Sequence, residues 1–225
     1  MRMRYIIMAG GTYTNWSYPR QLCMIHRETL IERTVRLLKE NGITSKDIAI
    51  SSTNKQLRQE LINRGYHFTY IVHHNDFTAD SNTVEGFWVD CFCPSHTPVC
   101  YLFGDVVYSP EAIKKIVETE TDSIEFFASA PPFAKNYSKK WAEPFAFKVV
   151  DQAYFRECIR EVKHLQQQGK FKRSPIAWEL WQVIKGTPLN KIDYTNYTVI
   201  NDYTCDIDEP SDIYKFEGGE PWHTI

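Results

Sequence analysis

The sequence predicts an α/β fold of three layers, with a mostly parallel central sheet covered by helices on both faces. Three observations predict it. Strand-like and helix-like segments alternate over residues 3–130 at the spacing of βαβ units. The segments at 3–8 and Val99–Phe103 are short apolar runs, the pattern of buried strands. Both runs stop at glycine, at Gly10-Gly11 and at Gly104-Asp105, as a strand does when it enters a tight turn.

The elements follow in order. Leu30–Glu40 sets Leu30, Ile31, Thr34, Val35, Leu37 and Leu38 at helical spacing, and Asn41-Gly42 stops it as a left-handed cap does. Residues 47–51 read as a strand, 55–64 as a helix ending at Gly65, and 67–72 as a β-rich strand. Residues 83–93 read as a helix, against their aromatic and β-branched content. After Val99–Phe103, Ser109-Pro110-Glu111 offers a hydroxyl cap, a proline at the first helical position and an early acid, so a helix runs to about Val117. A strand occupies 124–129. Beyond Pro131-Pro132 the pattern loosens into a strand at 145–150, helices at 151–168 and 175–185, and a last strand at 197–201. Cys205-Asp206-Ile207-Asp208-Glu209-Pro210 and a short helix follow. At 225 residues and 43% hydrophobic content the chain holds one sizeable core. We read 1–225 as a single domain, with 131–196 an acceptor-binding insertion.

Composition narrows the function. Lys and Arg number 26 against 28 Asp and Glu, a net charge of −2, so no basic excess points to nucleic acid. No apolar run reaches the roughly 18 residues of a membrane span. The basic-then-apolar start at Met1–Arg4 runs straight into the glycines, so it reads as a first core strand rather than a secretory leader. The six cysteines sit mostly among apolar residues and read as reduced core positions in a cytoplasmic protein.

Three places join a strand end to residues that carry chemistry, and in open α/β sheets ligands gather at those ends. Ala9-Gly10-Gly11-Thr12 is either a phosphate cradle, in which glycines let backbone N–H groups approach the anion, or an ordinary βα turn. No Gly-Lys-Ser/Thr follows, so it is not a Walker loop. Arg20 lies just beyond, either able to fold over a bound triphosphate or a solvated loop arginine. Asp105, at the end of a buried strand, either binds a cation or caps a loop, since an unpaired buried carboxylate is costly. Asp206 and Asp208, two apart in an extended segment, can face one cation. The same residues also suit a helix start, with Asp208 as cap and Glu209 and Pro210 in the first turn.

This order of motifs, with Pro19-Arg20 and Leu30-Ile31-Glu32-Arg33-Thr34 between them, resembles the sugar-nucleotide pyrophosphorylase and cytidylyltransferase superfamily, including its MobA-like and phosphocholine cytidylyltransferase-like members. The resemblance covers most of 3–130 and 197–216, and the stretch 75–88, with Asn82-Thr83, looks like the segment beside the nucleotide in the cytidylyltransferases. It implies a Rossmann-like, GT-A-type nucleotidyltransferase. Such an enzyme moves a nucleoside monophosphate from an NTP, with CTP favoured, to a small phosphorylated acceptor and releases pyrophosphate. By position, Ala9, Gly10, Gly11, Thr12, Asn82, Thr83 and Gly104 would hold the nucleotide, and Asp105, Asp206 and Asp208 would hold Mg²⁺. Arg20 stands in the place of the family's catalytic lysine. The family's Gly-x-Gly-x-Arg is absent after the paired glycines, so Lys148 is a candidate second cation.

The acceptor candidates are Glu143, Trp178 and Glu179. Trp178 and Trp181 share a helix face, either as core or as an aromatic cage for a cationic head group. An amine-bearing phosphate and a sugar 1-phosphate are equally open as acceptors. His73-His74 point to opposite faces of a strand, Cys91-x-Cys93 lacks a second pair, and Lys135, Lys139 and Lys140 read as a solvated loop. Two rivals remain: a GT-A glycosyltransferase, whose D-x-D normally follows a mid-chain strand, and a non-catalytic nucleotide-binding domain.

Overall fold

The computed structural model describes residues 2–11, 15–73, 87–131 and 142–217. The chain opens with β1 (Arg4–Met8), a hairpin of β2 (Met24–Ile25) and β3 (Glu28–Thr29), and α1 (Leu30–Glu40). Next come β4 (Ile48–Ser51), α2 (Lys55–Asn63), β5 (Thr69–Ile71), β6 (Val99–Phe103), β7 (Val106–Val107), α3 (Pro110–Glu118) and β8 (Ile124–Ala128). The last elements are β9 (Pro144–Val149), α4 (Gln152–Gln167), α5 (Ala177–Lys185), β10 (Thr198–Val199), β11 (Cys205–Asp206) and α6 (Tyr214–Glu217).

Seven strands form the central sheet in the order β10-β8-β9-β6-β1-β4-β5. All neighbours run parallel except β9, which is antiparallel to both β6 and β8. The segment read from sequence as an insertion therefore supplies a central strand, and Phe145, Ala146 and Phe147 on it are fully buried. Phe147 and Lys148 follow one another and point to opposite faces. Phe147 packs on Phe155 of α4 and Trp181 of α5, with ring centroids at 6.0 and 6.5 Å. Lys148 reaches α3 on the other face, where α1 packs on α3. Helices thus cover both faces, as expected.

Local chemistry fixes the helix ends. Thr29 and Glu32 form a reciprocal cap on α1: the Thr29 hydroxyl accepts from the Glu32 N–H at 3.2 Å, and the Glu32 carboxylate from the Thr29 N–H at 2.7 Å. The Ser109 hydroxyl caps α3, accepting from the Ala112 N–H at 2.8 Å. The helix expected over 83–93 is not found: residues 83–86 lie outside the described residues, and beyond them only a 3₁₀ turn forms, at Trp88–Cys91. Its aromatic residues go to the core instead, with Trp88 against Phe103 at 5.7 Å and Phe92 against Tyr101 at 5.2 Å. Among the described residues no helix is long and apolar enough to cross a membrane.

Candidate functional site

The carboxyl edge of the parallel strands collects most of the residues singled out in the sequence. β1 continues into Ala9, whose N–H donates to Ser51 O at 2.8 Å, and Gly11 then turns the chain with φ +86°. The end of β6 closes onto this turn through Gly104, whose N–H donates to Met8 O at 2.9 Å. A Cβ at Gly104 would lie 2.6 Å from that oxygen, so the glycine is required by the close approach of two strand ends. A cleft of about 170 Å³ opens beside the turn, lined by Gly11, Trp16, Arg20, Asn54 and Gln56. Thr12, Asn82 and Thr83 lie outside the described residues.

Asp105 follows Gly104, and the tail of the chain comes to meet it. β11 pairs antiparallel with β7, with Asp206 opposite Val106, and the Ile207 N–H donates to Asp105 O at 2.8 Å. The carboxylates of Asp105, Asp206 and Asp208 are therefore carried by adjoining backbone segments. Arg20 joins them. Its guanidinium, 4% exposed, is ion-paired with Asp105, donates to Ile207 O at 3.0 Å and lies 3.4 Å from the Asp208 carboxylate. Arginine stays charged at any accessible pH, so this buried cation needs its carboxylate partners.

Several residues that sequence reading did not single out hold the arrangement. The Trp16 indole donates to Asp208 O at 2.9 Å, and the Asn15 amide to both carboxylate oxygens of Glu209 at 2.8 Å. The Asp212 carboxylate accepts the N–H groups of Asp208 and Glu209 at 3.0 and 2.8 Å. The 3₁₀ turn at Pro210–Ile213 consequently starts after Glu209, one residue later than expected, and leaves Asp208 outside the helix. Beneath, the Ser109 hydroxyl donates to Asp202 at 2.6 Å, and the Arg33 guanidinium donates to Tyr108 O at 3.1 Å and to the Tyr203 hydroxyl at 3.3 Å. These long-range ties carry no local signal, although Arg33 falls within the Leu-Ile-Glu-Arg-Thr run.

Lys148 is not brought to this site. β9 runs antiparallel, so Lys148 pairs with Cys100 near the start of β6 rather than with its end. Its ammonium is spent on the carbonyls of Val117 and Thr119 at the end of α3, and burial lowers its pKa. Trp178 and Glu179 are also bound up in the fold. Trp178 packs on Phe126 at 5.0 Å, and its indole donates to Ala142 O at 3.0 Å. Glu179 takes a bidentate contact from Arg173 at 2.8 and 3.2 Å and accepts the Ile176 N–H at 2.9 Å, which caps α5. Glu143 does reach the carboxyl edge, at the start of β9, where its N–H donates to the Ser129 hydroxyl at 2.8 Å. Tyr108 ties this corner to Asp105: its hydroxyl lies 2.6 Å from Phe145 O and 3.2 Å from Phe103 O.

The donors at the Arg20 corner fit a hard divalent cation in kind. Mg²⁺ takes one or two protein carboxylates and completes its shell with phosphate oxygens and water. Asp105 and Asp208 already converge on one guanidinium. Among the described residues no group of three His, Cys, Asp or Glu side chains is placed to hold a metal ion.

The sequence matches no protein-family model and no curated protein. Solved structures do match. A candidate glucose-1-phosphate thymidylyltransferase from Bacillus anthracis is 14% identical, with a TM-score of 0.58 over 96% of this chain and 94% of that one. A nucleoside-diphosphate-sugar pyrophosphorylase from Vibrio cholerae RC9 is 12% identical, with a TM-score of 0.55 over 96% and 100%. An inositol-1-phosphate CTP transferase from T. maritima is 12% identical, with a TM-score of 0.52 over 97% and 95%. Over nearly its whole length, the chain has the α/β fold of these nucleotide-sugar pyrophosphorylase and nucleotidyltransferase structures.

Proposed function

We propose that the protein is a Mg²⁺-dependent nucleotidyltransferase. It moves a nucleoside monophosphate, from CTP by preference, to a small phosphorylated acceptor and releases pyrophosphate. The observation that carries this reading is the meeting of Arg20, Asp105 and Asp208 beside the Gly10-Gly11 turn at the carboxyl edge of the sheet. The likeness to nucleotidyltransferase structures supports it at the level of fold. The preference for CTP rests on the Asn82-Thr83 stretch, supported by the inositol-1-phosphate CTP transferase among the similar structures.

Backbone N–H groups of the Gly10-Gly11 turn receive the phosphates, and Arg20 aligns the α-phosphate with its fork of donors. Asp105 and Asp208, with Asp206 beside them, hold Mg²⁺, which supplies charge neutralisation to the phosphates when bound. An oxygen of the acceptor phosphate attacks the α-phosphorus, and the bond to the bridging oxygen of pyrophosphate breaks. The acceptor phosphate is already anionic at neutral pH, so no general base is needed. The protein's task is to align two anions that repel each other. Glu143, at the neighbouring corner, is the acceptor-side residue best placed for selectivity, and Trp178 serves as its support.

The test is a screen of the four NTPs against amine-bearing and sugar phosphates, with pyrophosphate detection in the presence of Mg²⁺. Pyrophosphate release that depends on the acceptor, and is fastest with CTP, is expected. NTP binding with no product over hours would leave only a nucleotide-binding domain.

A further inference from the structure

Arg20 is a permanent cation in contact with two of the carboxylates assigned above to a metal, Asp105 and Asp208. A guanidinium and a divalent cation compete for the same carboxylate oxygens, and two positive groups a few ångströms apart repel. We propose that Arg20 is an internal stand-in for the divalent cation. It keeps Asp105 and Asp208 closed in the free protein and moves to the triphosphate when nucleotide arrives, so that metal and nucleotide bind together. The inference rests on the nucleotidyltransferase reading and adds an order of binding to it.

Three features carry it. The contacts of Arg20 come from three directions: the Asp105 carboxylate, Ile207 O at 3.0 Å and the Asp208 carboxylate at 3.4 Å. With Arg20 in place the charge of this carboxylate pair falls from two negatives to one, which weakens its pull on a divalent cation. The arrangement is also releasable. The side chains of Asp105 and Asp208 are 22% and 56% exposed, so the carboxylate side of the clasp reaches solvent although the guanidinium is buried, and its Asp208 arm is long. Finally, Arg20 itself lines the cleft beside the glycine turn, so a phosphate arriving there lies next to the residue that holds the two carboxylates. A phosphate offers that fork two oxygens and more charge than one carboxylate does. Lysine, a compact point charge, lacks the two separate nitrogens with which Arg20 meets Asp105 on one side and Ile207 O and Asp208 on the other, which gives the arginine at this position a role of its own.

The experiment titrates Mn²⁺ into the whole protein without nucleotide and measures the free ion by electron paramagnetic resonance. Arg20→Met, which keeps the length and removes the charge, should bind Mn²⁺ roughly tenfold or more tightly than the wild type. Arg20→Lys should stay closer to the wild type than Arg20→Met does. Adding Asp105→Asn to Arg20→Met should abolish the gain. Arg20→Gln serves if the methionine variant melts abnormally. Equal Mn²⁺ affinity in wild type and Arg20→Met, with Asp105→Asn still abolishing binding, overturns the clasp and leaves the metal reading standing. Mn²⁺ binding indifferent to Asp105→Asn in every variant, nucleotide added or not, overturns both.

Discussion

Among the described residues three cations are buried, Arg20, Arg33 and Lys148, and the first and last differ in what they touch. Arg20, 4% exposed, sits at the carboxyl edge of β1 and β6 against the side-chain carboxylates of Asp105 and Asp208. Lys148, 5% exposed, sits on β9 against backbone carbonyls of Val117 and Thr119. Carboxylates at a rim can exchange one cation for another, whereas helix-end carbonyls belong to the fold. Burial alone does not tell a candidate site cation from a structural one; the kind of partner it meets does.

That contrast can be broken in four places. The largest effect is expected at Asp105. Asp105→Asn should cut pyrophosphate release by about 10²–10³-fold, the scale for losing one electrostatic element of a transition-state site, and the melting temperature should fall only modestly. Near wild-type turnover would remove Asp105 from the site. Gly104→Ala comes next, because its Cβ must displace Met8 O from 2.6 Å. Overpacking of this kind costs about 1–3 kcal/mol in a urea melt, and turnover should fall with it because Asp105 is carried on the same turn. Lys148→Met should separate the two cations. Stability should drop by about 1–3 kcal/mol as two carbonyls lose their donor, while turnover per folded molecule stays within a few-fold of wild type. A large loss of turnover there would return Lys148 to the chemistry.

The smallest effect concerns Glu28, which accepts from Arg36 at 2.7 and 2.8 Å. This contact holds the Glu28 carboxyl below its usual 4.5. The pair's stabilisation is full above that pH and is lost as pH falls through the lower folded value. Thermal melts of Glu28→Gln should therefore differ from wild type at neutral pH by less than about 1 kcal/mol and converge with it in acid.

The sequence made the first half legible because its apolar runs end in glycine and its helices carry caps. Leu30–Glu40 and Val99–Phe103 have the bounds expected. The meeting of Asp105 with the tail was legible because Gly-Asp and Asp-x-Asp each follow a strand. Lys148 was misplaced for a topological reason. Had β9 been parallel to its neighbours, its end would lie at the carboxyl edge; strand direction is not written in strand composition. Trp178 and Glu179 go to packing and capping because Phe126 and Arg173 claim them, and neither partner is evident from spacing. The β2–β3 hairpin was missed because its two-residue turn is His26-Arg27. Both have positive φ, 49° and 71°, in a place where Asn-Gly is the usual signal.

The short ribbon of β7 and β11 has a consequence for biosynthesis. β1, β4 and β6 precede residue 104, so a growing chain can pair these strands early, but Asp208 arrives about a hundred residues later. A nascent or prematurely released chain would display a glycine turn and one acidic residue without their counterpart. The corner of Arg20, Asp105 and Asp208 is thereby completed only after β11 has been made.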